Sequence, residues 1–110
     1  MLDWNRVLEL KDEVGDEAFT EVVELFLEEV EEVLARFRTD GVTDGIAADL
    51  HFLRGSAMNL GFSDLAEICS AGEKSAKTLG AEMVTLRPLF ESYEKSKAML
   101  LTGIAESSAA

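Results

Sequence analysis

Cysteine, histidine and proline each occur once in the chain. A single cysteine excludes an intrachain disulfide and a cysteine-based zinc cluster, and one histidine adds too few ligands for a structural metal site. No apolar run reaches the roughly 18 residues of a membrane span. The N-terminus also lacks the basic and then apolar pattern of a signal peptide. We therefore expect a protein without a metal or a membrane segment, in a reduced, cytoplasmic setting.

Basic residues are also scarce, since 10 Lys and Arg stand against 22 Asp and Glu, for a net charge of −12. This balance argues against binding to nucleic acid or to anionic membranes, which need basic patches. High net charge disfavours self-association, so we expect a monomer. The chain has no glycine-rich phosphate loop of the P-loop or kinase type, so we expect no ATP-dependent catalytic site.

The chain does contain five amphipathic segments, in which apolar residues recur three and four positions apart. Gly15, Gly41, Gly61 and Gly80 fall where these segments end. The sequence predicts an all-α protein in which four helices form an antiparallel up-down bundle and a short N-terminal helix covers one end. We assign residues 1–110 to a single domain with a frayed tail from about 105. The predicted helices cover about 4–13, 17–38, 45–60, 64–79 and a last segment that begins between 81 and 85.

Several local features of these helices are also predicted. N-terminal caps are expected at Asp3, Asp16, Thr43 or Asp44, Ser63 and Thr85, the last of which places Pro88 in a first helical turn. The glutamate-rich faces of the second helix are expected to be solvated. Cys69 is interpreted as a buried residue that packs in the core. Gly72 indicates a close crossing with another helix. In the last two helices the expected inward residues include Leu79, Leu86, Phe90, Tyr93, Leu100 and Ile104, with Leu89 at the margin.

The only histidine lies on the third predicted helix. An apolar stripe on that helix faces the core, and its members are Ile46, Leu50, Leu53, Ala57 and Leu60. His51 points roughly 140° away from the centre of this stripe. Arg54, Gly55 and Met58 follow it at i+3, i+4 and i+7 and share its face. The helix therefore presents an exposed imidazole with a cation one turn on and a residue without a side chain beside it.

Gly55 needs an explanation, because a glycine inside a helix costs about 1 kcal/mol relative to alanine. One explanation is a close crossing with another helix. The other is access, since a bare backbone at i+4 leaves room for a bulky group that approaches the histidine. The sequence leaves both explanations open.

The motif His51-x-x-Arg54-Gly55-Ser56-Ala57-x-x-Leu60-Gly61 closely resembles the phosphoacceptor segment of histidine-containing phosphotransfer (HPt) domains. The usual form in that family is His-x-Leu-Lys-Gly-Ser-Ala-x-x-Leu-Gly. The resemblance implies an HPt fold and a phosphoryl group carried on Nε2 of His51. It implies partners that are receiver domains of response regulators or hybrid histidine kinases. The magnesium ion would belong to the receiver, and this chain would have no cofactor of its own.

The residues around the histidine have expected roles in such a transfer. Neutral imidazole is a nucleophile near neutral pH, and phosphoryl transfer needs positioning and charge neutralisation. Arg54 stands where the family usually has Lys; it keeps the charge and changes the hydrogen-bond geometry. The other expected roles are access at Gly55, supporting donors at Ser56 and Asn59, and partner docking at Met58 and Phe52.

Two alternatives belong to other classes of protein. The dimerisation domain of a sensor kinase is also a helical bundle with a phosphoacceptor histidine. Its motif usually has an acidic residue directly after the histidine and a proline soon afterwards, whereas here Phe52 follows His51 and Pro88 is distant. The other alternative is a helical adaptor that is never phosphorylated and only binds a signalling protein. The intact motif argues against it, and a failure to form phosphohistidine with any donor would favour it.

Overall fold

A computed structural model describes residues 2–109 of the chain. Its elements follow the predicted order, with one added 3₁₀ turn before the last helix. The first helix is short, and the four helices after it are longer. The elements are α1 (Trp4–Val14), α2 (Asp16–Asp40), α3 (Ile46–Leu60), α4 (Ser63–Leu79), the 3₁₀ turn (Ala81–Met83) and α5 (Arg87–Ala109).

Helices α2 to α5 form the predicted all-α antiparallel bundle, and α1 packs across α2 and α3. Within residues 2–109, no helix is long and apolar enough to cross a membrane. The buried core draws on every α-helix, from Val7 of α1 to Leu100 of α5. The α5 backbone is helical through Ala109. The frayed tail expected from about residue 105 stays a prediction, and Ala110 lies outside the described residues.

The turn between α3 and α4 is tied to the N-terminus. Gly61 adopts the predicted left-handed conformation, with φ 75° and ψ 19°. Its carbonyl accepts a 2.6 Å hydrogen bond from the Asp3 N–H, and Leu2 forms an isolated antiparallel bridge with Phe62. A side chain at Gly61 would collide with the Asp3 carbonyl. Glycine at this position therefore allows both the turn and the docking of α1 against it.

Most predicted caps lie one residue away from the cap in the structure. Asp3 does cap α1, because its carboxylate accepts from the Arg6 N–H at 3.3 Å. The other caps are Gly15 for α2, Gly45 for α3 and Phe62 for α4. Asp16 and Ser63 are instead the first residues of their helices, because Gly15 and Phe62 occupy the cap positions. The Thr43 hydroxyl instead accepts from the Gly45 N–H at 3.3 Å.

Two core predictions near the last connection were wrong. Leu79 is 64% exposed because it is the final residue of α4. Leu89 is buried at 1% exposure rather than marginal. The 3₁₀ turn delays α5 until Arg87, so Thr85 is not its cap. Leu89 shares the inner face of α5 with Tyr93 and Leu100, while Leu86, Phe90 and Ile104 are partly buried.

A close crossing joins α3 to α4. A Cβ at Gly72 would lie 2.9 Å from Cδ1 of Leu50, which is tighter than ordinary van der Waals contact. The prediction of a close crossing at Gly72 is confirmed. Leu50 directly precedes His51, so this crossing brings the backbone of α4 to the level of the histidine.

Candidate functional site

His51 lies on the solvent side of α3, and its side chain is 64% exposed. Its neighbour Leu50 is fully buried, as expected from the apolar stripe. The predicted exposure of the imidazole is thus confirmed. Exposure leaves the ring open to a second protein while the helix backbone stays anchored in the core.

Glu73 of α4 is the partner of this imidazole, and sequence reasoning missed it. Nδ1 of His51 lies 3.2 Å from Oε1 and 3.1 Å from Oε2 of Glu73. The Glu73 side chain is only 13% exposed. It directly follows Gly72, so the close crossing that Gly72 permits also brings this carboxylate to the ring. The adjacency of Gly72 and Glu73 is the one sequence signal that could have suggested the contact.

The Glu73 carboxyl is held in its ionised form. Burial raises its pKa, but the hydrogen bond from His51 and the nearby Lys77 ammonium together outweigh that effect, and the pKa is lowered overall. An ionised carboxylate only accepts hydrogen bonds, so Nδ1 of a neutral ring must carry the proton. Nε2 then has a free lone pair. The contact therefore favours the neutral tautomer in which Nε2 keeps its lone pair.

Gly55 borders open space. Outside its own helix backbone and chain neighbours, a Cβ there would meet no heavy atom of the described chain within 4 Å. This geometry removes the close-crossing explanation for Gly55 and leaves the access explanation. Arg54, one turn from His51, is partly buried. Across residues 2–106, its guanidinium makes no hydrogen bond or ion pair, so its donors are free for an incoming anion.

The two candidate supporting donors are not brought to the imidazole. Ser56 is buried, with 6% exposure, on the inward side of α3. Asn59 is exposed two turns away, and its Oδ1 lies 3.5 Å from an Arg6 guanidinium nitrogen, which donates to it. Asn59 thus contacts α1, and in this structure neither residue contacts His51. Their supporting role stays a prediction.

Met58 and Phe52 are both exposed apolar residues of α3, at 59% and 46%. Met58 lies at the edge of a shallow groove between α1, α3 and α4, on the same face as His51. Phe52 lies on the side of α3 that faces away from Arg54. Besides Met58, the lining of the groove includes Arg6, Arg54, Ala66, Glu67 and Ser70.

Cys69 is fully buried, as predicted. Burial raises the pKa of its thiol to about 12, despite an opposing effect of the Arg54 charge. A thiol that remains protonated and inaccessible is a poor nucleophile and a poor redox group. Cys69 is therefore a packing residue beneath the site.

The structure thus presents one exposed histidine, in contact with a carboxylate, on the surface of a helical bundle. The sequence model of the Hpt domain matches residues 21–105, and the chain belongs to the Hpt domain family. Domains of this family carry out histidine phosphotransfer in phosphorelays and act as phosphocarrier modules. The match favours this family over a kinase dimerisation domain. No curated protein and no solved structure gave a significant match to the chain.

Proposed function

We propose that His51 accepts a phosphoryl group from the aspartate of a receiver domain and passes it to the aspartate of another receiver. One observation carries the proposal: Nδ1 of His51 contacts the Glu73 carboxylate, which leaves Nε2 with a lone pair on an exposed ring. The family supports the class of reaction, and the contact between Nδ1 and Glu73 supports Nε2 as the reacting nitrogen.

The transfer can be written from the atoms at the site. The Nε2 lone pair attacks the phosphorus of the aspartyl phosphate as the bond from phosphorus to the carboxylate oxygen breaks. The aspartate leaves with that electron pair as a carboxylate. The ring retains the proton on Nδ1 and gains positive charge, which the Glu73 carboxylate 3.1 Å away stabilises. Passing the phosphoryl group on reverses these changes.

Arg54 and Gly55 assist the same step by their position near the incoming phosphoryl group. The free guanidinium of Arg54 stabilises the charge on the phosphoryl oxygens during transfer. Gly55 leaves the approach to Nε2 open. The receiver supplies the magnesium ion and the acidic residues that bind it, so this chain needs no cofactor of its own.

Labelling of a variant tests the phosphoacceptor. We expect His51→Gln to keep the fold, because the side chain is largely exposed, and to lose all acid-labile label from a phosphorylated receiver. Lys74→Ala, a change at an exposed residue of α4, is the control and should label normally. Residual acid-labile label in His51→Gln would overturn the assignment. If the parent chain takes no label from any receiver, the adaptor alternative is favoured instead.

The docking surface is tested by transfer kinetics. A weak, reversible complex still needs an apolar centre, and we propose Met58 for it, with Phe52 beside His51. Met58→Lys should weaken receiver binding while the rate at saturating receiver changes little. Arg54→Ala should instead lower the saturated rate, because its charge acts on the moving phosphoryl group.

Leu101→Lys is the matched control for Met58→Lys. Leu101 is similarly exposed, at 47%, on α5. Its substitution adds the same charge and should leave both kinetic parameters close to those of the parent. If Met58→Lys changes the concentration dependence no more than Leu101→Lys does, the docking surface does not include Met58.

A further inference from the structure

A groove on the same face of the molecule as His51 runs between α1, α3 and α4. Its apolar part is supplied by Met58 of α3 and Ala66 of α4. Arg54, which follows His51 by one helical turn, lines the same groove. A protein that fills the groove therefore also lies against the face that carries the phosphoacceptor. This continuity favours the partner in phosphoryl transfer as the occupant.

Carboxylates stand on both sides of this groove, because α1 and α4 both pack against α3 and each contributes an exposed glutamate. These residues are Glu9 of α1 and Glu67 of α4. Arg6 also lines the groove, but it binds Glu13 at 2.7 Å and meets the Glu9 carboxylate only at 3.6 Å. The Glu9 side chain is 66% exposed, so its charge remains open to a partner. The charged residues along the groove are Asp3, Arg6, Glu9, Arg54 and Glu67.

The α1 side of the groove is fixed before any partner binds. The Asp3 N–H donates to the Gly61 carbonyl at 2.6 Å. One turn on, an Arg6 guanidinium nitrogen donates to Oδ1 of Asn59 at 3.5 Å. Both contacts join α1 to the end of α3. The backbone that carries Glu9 therefore needs no ordering when a partner binds.

Glu9 also lies outside the region that the family match describes. The match covers residues 21–105, which include Met58 and Glu67 but not α1. The groove thus combines residues of the matched region with a carboxylate from outside it. A charge at such a place can distinguish partners without altering the phosphoacceptor.

We propose that this groove selects receiver domains whose docking face carries an apolar side chain flanked by basic ones. The apolar side chain contacts Met58, and the basic groups lie against Glu9 and Glu67. Charges at the rim of an interface act mainly on the rate of association and on the choice among partners. Glu9 and Glu67 are therefore specificity-determining residues, and neither takes part in the chemical step. That the partner is a receiver rests on the proposed function, whereas the charge pattern that it must carry does not.

Association kinetics test the proposal. The ligand is the receiver domain that binds the parent chain most tightly in calorimetry, chosen from a panel of receiver domains. Glu9→Lys and Glu67→Lys should each slow its association by about fivefold at low salt. The dissociation rate should change little, and the loss should shrink as sodium chloride is added. Circular dichroism checks that each variant keeps the helical fold, and the two sites on different helices provide independent tests.

Asp12→Lys is the matched control. Asp12 is exposed on the same helix as Glu9 and is not among the residues of the described chain that line the groove. The control makes the same change in charge, so it corrects for the general attraction between a chain of net charge −12 and a basic partner. The proposal is overturned if Glu9→Lys and Glu67→Lys slow association no more than Asp12→Lys does. It is also overturned if the receiver has no basic side chain among the residues that the chain protects from hydrogen exchange.

Binding and labelling separate this inference from the proposed function. A receiver that binds with this charge dependence but never labels the chain would retain the inference and remove the proposed function. Acid-labile labelling at limiting receiver concentration that is as fast in Glu9→Lys and Glu67→Lys as in Asp12→Lys would do the opposite.

Discussion

Gly55 and Gly72 both lie inside helices, but their surroundings are opposite. Gly55 on α3 borders open space beside His51, whereas Gly72 on α4 is in contact with Leu50. At Gly55 the missing side chain leaves the surface open to a partner. At Gly72 it lets two helices approach closely. The pair therefore offers a matched comparison of access with packing.

Substitution at both glycines should separate these effects. Gly55→Ala should stabilise the fold by up to about 1 kcal/mol, because alanine has the higher helix propensity and its Cβ meets no obstacle. Gly72→Ala should stabilise less or destabilise, because Cδ1 of Leu50 lies 2.9 Å from the new Cβ. Urea unfolding measures both changes. A loss of stability in Gly55→Ala would contradict the open geometry.

A bulkier side chain at Gly55 tests access itself. We expect Gly55→Leu to slow phosphoryl transfer from a receiver while the thermal midpoint stays at or above that of the parent. Gly55→Ala should fall between Gly55→Leu and the parent in rate. An unchanged rate in Gly55→Leu would show that the open space is not used by the partner.

At the scale of helices, Glu31 joins α2 to α5. Its carboxylate accepts hydrogen bonds from the Tyr93 hydroxyl and from Nζ of Lys97, the latter at 2.6 Å. Arg38 of α2 also lies over the Phe90 ring of α5, 4.6 Å from its centroid. The hydrogen bond from Lys97, followed by that from Tyr93, lowers the pKa of Glu31. The first and last long helices of the bundle are thus connected by polar contacts as well as by the core.

The stabilisation from Glu31 should depend on pH. A carboxyl with a lowered pKa in the folded state stabilises the fold above its unfolded pKa, and this contribution is lost as the pH falls through the folded value. Glu31→Gln should therefore lower the free energy of unfolding at neutral pH by roughly 0.5–1.5 kcal/mol, the scale of one hydrogen bond. The difference from the parent should shrink in acid.

Glu32→Gln is the control for Glu31→Gln. Glu32 is exposed on the same helix, and its substitution changes the net charge equally. Chemical denaturation of the three proteins at neutral and at acidic pH measures the effect. A loss in Glu31→Gln that is the same at both pH values would show that the charge of Glu31 contributes nothing.

At the scale of the whole molecule, the excess of acidic groups dominates the surface, with a net charge of −12. One face of α2 carries a row of exposed glutamates, as expected, whereas Glu29 is half-buried and Glu31 contacts α5. The row consists of Glu17, Glu21, Glu24, Glu28 and Glu32.

This charge should make stability depend on salt. Repulsion among like charges opposes the compact state, and added salt screens it within a Debye length of about 8 Å at physiological ionic strength. We expect the thermal midpoint to rise as sodium chloride is added from low salt, and light scattering to report a monomer throughout. A midpoint that falls with salt would show that attractive ion pairs outweigh the repulsion, and a stable dimer would contradict the monomer prediction.

The sequence by itself determined the number and order of the helices and the exposure of His51. Local physics suffices for these features: apolar spacing decides which face of a helix is buried, and glycines mark where helices end. The motif around His51 lies within a single helix, so its arrangement needs no tertiary information. The predicted caps were less accurate, since a shift of one residue depends on how the chain enters each helix.

Only the tertiary structure decided what the helices place against each other. Glu73 lies 22 residues after His51, and its contact depends on the rotation of α4 about its own axis and on its distance from α3. The crossing of Gly72 over Leu50 sets both. Leu79 and Leu89 exchanged their expected environments for a related reason, because the end of α4 and the rotation of α5 about its own axis decide which residues reach the core. Helical periodicity predicts which face of a helix is buried, but not which residue of another helix lies against a given side chain. For His51 that residue is Glu73, and the favoured tautomer of the ring depends on it.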